Sequence, residues 1–210
     1  MRARIFLADD HTLLLDAFKT LLEPEYEIVG TATDGRMMLK MVAALAPDLV
    51  LMDIAMPNLN GFDAGEKLKK ILPDVKLVFL TVNEDLDMVT EAFRIGANGY
   101  LLKSSAASEL FQAIETVMSS KNYVSPRLEE IMAEAQIKHP GAHKAHGELS
   151  IRQREVLQLL AEGHTMKRVA AILNITPRTV AFHKYQIMET LDVKSNSELI
   201  QYAVKQGIVT

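Results

Sequence analysis

Short apolar runs alternate with stretches of helical period along the first 118 residues. The runs at 5–8, 28–32, 49–52, 77–81 and 99–102 are rich in Ile, Val, Leu or Phe and are bounded by Asp, Pro, Gly or Asn, the pattern of buried strands. Between them, at 13–22, 35–45, 64–71, 85–95 and 106–118, apolar residues recur at the spacing of an amphipathic helix. Strict alternation of strand and helix predicts a parallel sheet covered by helices on both faces. Five such repeats make one doubly wound α/β domain with a five-stranded parallel sheet, whose ligands belong at the carboxyl ends of the strands.

The pattern changes at Ser119. Residues 127–138 read as a linker helix, which His139-Pro140-Gly141 should break. The small and polar run 142–147 reads as a flexible hinge. Four helical signals and no strand follow. Ser150 with Gln153, and Ser195 with Glu198, are capping-box pairs, in which each side chain satisfies the other's orphan amide at a helix start. Thr176 followed by Pro177 is an N-cap with proline at the first helical position, and Gly163 and Gly207 stand where helices should end. The expected organisation is an α/β domain over 1–120, a linker over 121–147 and a small all-α domain of four helices over 148–210.

Composition narrows the chemistry. The 210 residues include no cysteine, which excludes disulfides, thiolate catalysis and cysteine-based zinc sites. No run approaches the roughly 18 apolar residues that span a bilayer. The apolar start of the chain ends at Asp9-Asp10, too soon for a signal peptide. A cytoplasmic protein without a membrane partner is the expectation. The net charge of -4 is unevenly spread: residues 1–118 carry 11 basic against 18 acidic side chains, residues 147–210 eight against six. An acidic front and a mildly basic back suit two domains with different partners.

Three carboxylates fall at strand ends, Asp9 and Asp10 after the first strand and Asp53 after the third. Adjacent parallel strands bring those ends together, and like charges at that range repel unless a cation lies between them. Oxygen ligands favour a hard ion such as Mg2+. Thr81 closes the fourth strand with a hydroxyl, and Lys103 follows the fifth with a cation. Any one of these is more often a solvated loop residue or a helix cap. All five, at the ends of four strands, make a phosphoryl-binding site.

These residues carry a resemblance. Asp9-Asp10-His11, Asp53-Ile54-Ala55-Met56-Pro57 with Gly61 beyond, Thr81, and Gly99-Tyr100-Leu101-Leu102-Lys103 resemble the receiver domain of response regulators, which has a flavodoxin-like fold. The resemblance covers about residues 1–120. It implies that Asp53 accepts a phosphoryl group from a sensor histidine kinase. It further implies that Asp10 ligates Mg2+ directly, Asp9 mostly through water, and Ala55 through its carbonyl, while Thr81 and Lys103 hold the phosphoryl oxygens. Tyr100 occupies the place of the family's switch aromatic, which turns inward as Thr81 moves toward the phosphate; the alternative is half-buried packing.

In the helical part, 166–173 forms a short helix with Val169, Ala170 and Leu173 on one side. A turn at Asn174-Ile175-Thr176 leads into a second helix with an apolar stripe of Val180, Ile187, Met188 and Leu191. Its other face presents Arg178, Ala181, Phe182, Tyr185 and Glu189. Two helices with a tight turn match a helix-turn-helix that enters the major groove. Glu155 to Gly163, then Val169-Ala170, then Thr176-Pro177-Arg178-Thr179-Val180 with His183, resemble the LuxR-type domain. The chain as a whole therefore resembles the NarL/FixJ subfamily of response regulators.

That resemblance implies phosphate contacts from Lys167, Arg178, Thr179, Lys184 and Gln186, which fix register without reading sequence. It puts Ala181, Phe182 and Tyr185 toward base edges. Alanine and phenylalanine can touch thymine methyls but offer no bidentate hydrogen bonds, and Phe182 has helix packing or receiver packing as its alternative. His183 shares a face with Val180 and Ile187 and reads as a core or cap residue. The implied partners are double-stranded promoter DNA and a second copy of the chain once phosphorylated, with the resting receiver covering or misorienting the recognition helix. The competing reading has the helical domain bind protein. The histidines at 139, 143 and 146 read as linker composition, and Met37, Met38 and Met41 as core filler.

Overall fold

The computed structural model describes residues 2–82, 84–105, 107–138 and 149–209. The expected helix break at 139–141, the hinge at 142–147 and the three histidines there lie outside them.

Six strands form one sheet: β1 (Arg4–Ala8), β2 (Glu27–Ala32), β3 (Leu49–Asp53), β4 (Lys76–Thr81), β5 (Gly99–Leu102) and β6 (Tyr123–Val124). Their order is β2-β1-β3-β4-β5-β6 and every pairing is parallel. The chain reverses its direction of travel between β1 and β3, and in such sheets the crevice at that point takes the ligand. The expected five strands are all present. The sixth corrects the count and comes from the segment read as linker. Tyr123 donates its N–H to Asn98 O and Ser125 donates to Tyr100 O, each at 3.0 Å. Two residues are too few to show a period of two.

Successive residues of each strand face opposite sides, and this splits the core in two. Phe6, Val50, Met52, Leu77, Phe79 and Tyr100 face α2 (Gly35–Leu45), α3 (Gly61–Ile71) and α4 (Leu86–Ile95). Ile5, Leu7, Leu51, Val78, Leu80 and Leu101 face α1 (Thr12–Leu22) and α5 (Ala107–Met118). Strands buried on both faces read as unbroken apolar runs, and every residue of β3 is buried.

The linker helix α6 (Pro126–Lys138) belongs structurally to this first domain. Leu128 is fully buried in the Tyr100 side of the core, with Val124, Ile131 and Met132 packed around it. Among the described residues four helices follow: α7 (Ile151–Ala161), α8 (Met166–Leu173), α9 (Pro177–Thr190) and α10 (Asn196–Lys205). Ser150 and Gln153 close a full capping box, and Thr165, Thr176 and Ser195 each accept an amide at the start of their helices. Asn174 ends α8 in the left-handed conformation, with φ 54°, and so makes the tight turn. Val156, Leu159, Val169, Leu173, Val180, Ile187, Leu199 and Ala203 form its core.

Candidate functional site

β1 and β3 are paired neighbours, so Asp9, just past β1, stands beside Asp53, the last residue of β3. Both are buried, at 1% and 3% exposure. One ligand atom from each of Asp9, Asp10, His11 and Asp53 lies within 4.8 Å of all the others. Lys103 reaches in from the end of β5, held there by its N–H to Thr81 O at 2.6 Å. Its Nζ sits 2.7 Å from Asp9 Oδ2 and 2.8 Å from Asp53 Oδ2. Asp53 Oδ1 accepts the Ala55 N–H at 3.3 Å.

The electrostatics follow from this crowding. Burial raises the pKa of Asp53; the bond and charge of Lys103 pull it down, the Asp9 charge pushes it up, and the net direction is upward. Burial opposes the charge on Lys103, but Asp53 and Asp9 outweigh it and hold the ammonium above its ordinary value. Three carboxylates with a single lysine leave excess negative charge in a partly buried space. Oxygen donors plus one imidazole fit a hard divalent cation. His11, not assigned a role from the sequence, adds that imidazole: its Nδ1 is 2.9 Å from Asp10 Oδ1 and 3.2 Å from Asp9 Oδ1.

Thr81 closes β4 and is 4% exposed, beside Asp53 on β3. Tyr100 pairs with Phe79 on the next strand and is fully buried, so the half-buried alternative does not hold. Burial drives its phenol pKa up, with the neighbouring Thr81 hydroxyl pulling the other way.

On α9, Val180 and Ile187 are buried, and Phe182 and Tyr185 are 57% and 68% exposed. Phe182 belongs to neither the helical core nor the receiver core. Lys167, Arg178 and Gln186 are exposed, while Thr179, Ala181 and Lys184 are half-buried. His183 is half-buried, its ring edge-on to Phe182 at 5.9 Å.

Among the described residues, the first domain leaves Phe182 and Tyr185 of α9 exposed. It packs on α7, whose polar side meets α2, α3 and the loop after β3. Glu155, 2% exposed, takes Arg36 at 2.9 Å and Lys67 at 2.8 Å from the first domain, and Arg152 at 3.0 Å from its own helix. Arg154 reaches Asp63 at 2.8 Å. Gln158 donates to Met56 O at 2.8 Å and accepts the Asn60 N–H at 2.8 Å. Sequence reasoning found none of these partners, because a polar residue on an amphipathic helix reads as solvent-facing.

The sequence profile described as "Response regulator receiver domain" matches residues 5–115, and that of "Bacterial regulatory proteins, luxR family" matches residues 147–203. The chain belongs to the response regulators of two-component systems, with a receiver followed by a LuxR-type DNA-binding domain that regulates transcription. Among its relatives is the transcriptional regulatory protein DegU of Brevibacillus brevis, a NarL/FixJ-subfamily regulator, 31% identical over 99% of this chain and 95% of its own. The oxygen regulatory protein NreC of Staphylococcus carnosus is 32% identical over 98% of this chain and 99% of its own. Of solved structures, a LuxR-family response regulator from Aurantimonas sp. SI85-9A1 matches at TM-score 0.63 and 30% identity over 65% of this chain and 99% of its own. RcsB of Salmonella typhimurium shares the fold over 97% of this chain and 98% of its own, at TM-score 0.68 and 22% identity.

Proposed function

We propose that Asp53 is the phosphoacceptor of this regulator and that its phosphorylation controls DNA binding by α9. The observation that carries the reading is the Asp9–Lys103–Asp53 arrangement at the carboxyl edge of the sheet, with Lys103 within 2.8 Å of both acids. The donor is a phosphohistidine on a sensor histidine kinase: the N–P bond breaks, an Asp53 carboxylate oxygen forms the new O–P bond, and the imidazole nitrogen leaves. Mg2+, held by Asp9, Asp10, Asp53 and the Ala55 carbonyl, supplies charge neutralisation for the transferring group when bound. Lys103 and the Thr81 hydroxyl take the phosphoryl oxygens. Tyr100, already inside the core, is the packing element that Thr81 shifts. His11 assists by hydrogen-bonding Asp9, with Asp10 Oδ1 2.9 Å from the same ring nitrogen.

In the output domain, Lys167, Arg178, Thr179, Lys184 and Gln186 contact DNA phosphates, and Ala181, Phe182 and Tyr185 face the bases. The phosphorylated form dimerises and binds two half-sites about one helical turn apart. The protein works in the cytoplasm. With α9 already exposed, control lies in how the docked receiver orients the helix-turn-helix rather than in covering it. Residues 1–120 and 148–210 are the two domains and 121–147 the segment that joins them, its β6 and α6 packed onto the first domain.

Selection from a random DNA pool, with and without Mg2+ plus beryllofluoride as a phosphoryl mimic, tests the whole reading. A two-half-site motif enriched strongly with the mimic is expected. No enrichment in either condition would retire DNA binding and favour a protein partner.

A further inference from the structure

We infer that Gln158, a side chain of the output domain, is a positioning residue for the acidic site of the receiver. This rests on the reading of that site as Mg2+-binding and phosphoryl-accepting. The loop from Asp53 to Asn60 carries the Ala55 carbonyl and is held in part from within the receiver, where Leu59 donates its N–H to Pro57 O at 2.7 Å and Arg36 Nε donates to Asn58 O at 3.3 Å. Asp53 Oδ1 holds the Ala55 N–H, Ile54 O accepts from Met56 and Gly61, and Asn60 caps α3 by accepting the Asp63 N–H at 2.9 Å. The start of α3 presses on the Asp53 backbone so closely that a Cβ at Gly61 would collide with Asp53 O.

The middle of the loop is also held from the other domain. Gln158 is fully buried, and all its amide capacity is used. Its Nε2 donates to Met56 O at 2.8 Å and to Glu162 Oε1 at 2.7 Å. Its Oε1 accepts from Asn60 N at 2.8 Å and Asn60 Nδ2 at 3.2 Å. One amide thus ties the two sides of the loop together, and Glu162 holds the Asn58 N–H between them at 3.1 Å. Asn58 sits at φ 64°, the left-handed turn conformation that asparagine adopts readily.

Groups that orient a metal ligand through hydrogen bonds tune the affinity of the site they support. Removing the Gln158 amide frees Met56 O and Asn60 N, loosens the loop that carries the Ala55 carbonyl and adds the cost of ordering it when the ion binds. Coupling between sites is reciprocal. Occupancy of the acidic site therefore favours the docked position of α7 by the same factor.

The test is the Mg2+ dissociation constant of the full chain, read by calorimetry for wild type and Gln158→Ala. Gln158→Met, which keeps the volume and loses the hydrogen bonds, is the second variant should the first fold poorly. The expected result is binding weakened about fivefold or more in both. In a background opened by Lys67→Glu, the same Gln158 changes should have no further effect, because the amide no longer reaches the loop. Mg2+ binding by wild type with an unchanged or tighter constant in Gln158→Ala and Gln158→Met overturns this inference alone. Absence of Mg2+ binding by wild type overturns the reading of the acidic site and this inference with it.

Discussion

Lys67 Nζ lies 2.8 Å from Glu155 Oε1, joining α3 of the receiver to α7 of the output domain through a carboxylate that is 2% exposed. Arg36 shares the same oxygen, and Arg152 takes the other one while also holding Leu173 O at 2.7 Å, at the end of α8. One buried charge thus links the receiver to the helix-turn-helix turn. Reversing a partner of a buried carboxylate leaves charges uncompensated. Lys67→Glu should weaken docking by on the order of 2–4 kcal/mol. Small-angle scattering checks it: the radius of gyration should rise, and an unchanged value would mean that the pair contributes nothing.

Acid should open the same contact within a definite window. Burial alone would raise the Glu155 pKa, but Lys67, Arg152 and Arg36 hold it below the ordinary 4.5. A carboxyl depressed in the docked state contributes docking energy that is complete above that ordinary value and lost as pH falls through the depressed one. Asp63 and Glu162 carry the opposite sign. Burial raises both, so protonating them favours the docked form as pH falls. Docking should therefore persist through mild acid and fail only below about pH 4.5, and Glu155→Gln should flatten that acid limb. Scattering along a pH series gives the answer, and an opening midpoint above about pH 5 would point to another group.

DNA affinity should divide cleanly along α9. Arg178 is exposed and Lys184 half-buried, and Phe182 and Tyr185 are exposed. Replacing either cation by alanine should weaken all sequences alike and lower the slope of log affinity against log salt by about one. Phe182→Ala should leave the slope alone and shift base preference. Binding titrations at several salt concentrations separate the two, and a slope unchanged in Arg178→Ala would remove it from the phosphate contacts.

Leu128 tests whether the linker helix is part of the receiver's core. It is fully buried in the cluster that holds Tyr100, Met88 and Ala92. Leu128→Ala should cost roughly 2–5 kcal/mol, seen as a lower denaturant midpoint for the receiver transition. A cost typical of a surface position would place α6 outside the cooperative unit.

Legibility in the sequence followed the range of the physics involved. β3 could be read because Leu49 to Met52 are apolar on both faces, and the caps of α7, α9 and α10 because a cap is a contact over three residues. The convergence of Asp9, Asp10, Asp53 and Lys103 could be read because parallel topology fixes where strand ends lie. β6 could not, being two residues long and defined only by its partner β5. Glu155, Gln158 and Glu162 could not either. Their partners lie about a hundred residues away in the chain, and nothing local distinguishes them from polar residues facing water.

The short strand β6 has a practical consequence for anyone cutting this protein. A fragment ending at residue 115, where the receiver profile stops, would lack Tyr123–Val124 and the Leu128 that covers Tyr100. β5 would then become a bare edge, with open backbone donors and acceptors beside an uncovered apolar patch, the arrangement that recruits strands from other molecules. Such a fragment should clump in solution, and one extended through residue 138 should stay dispersed.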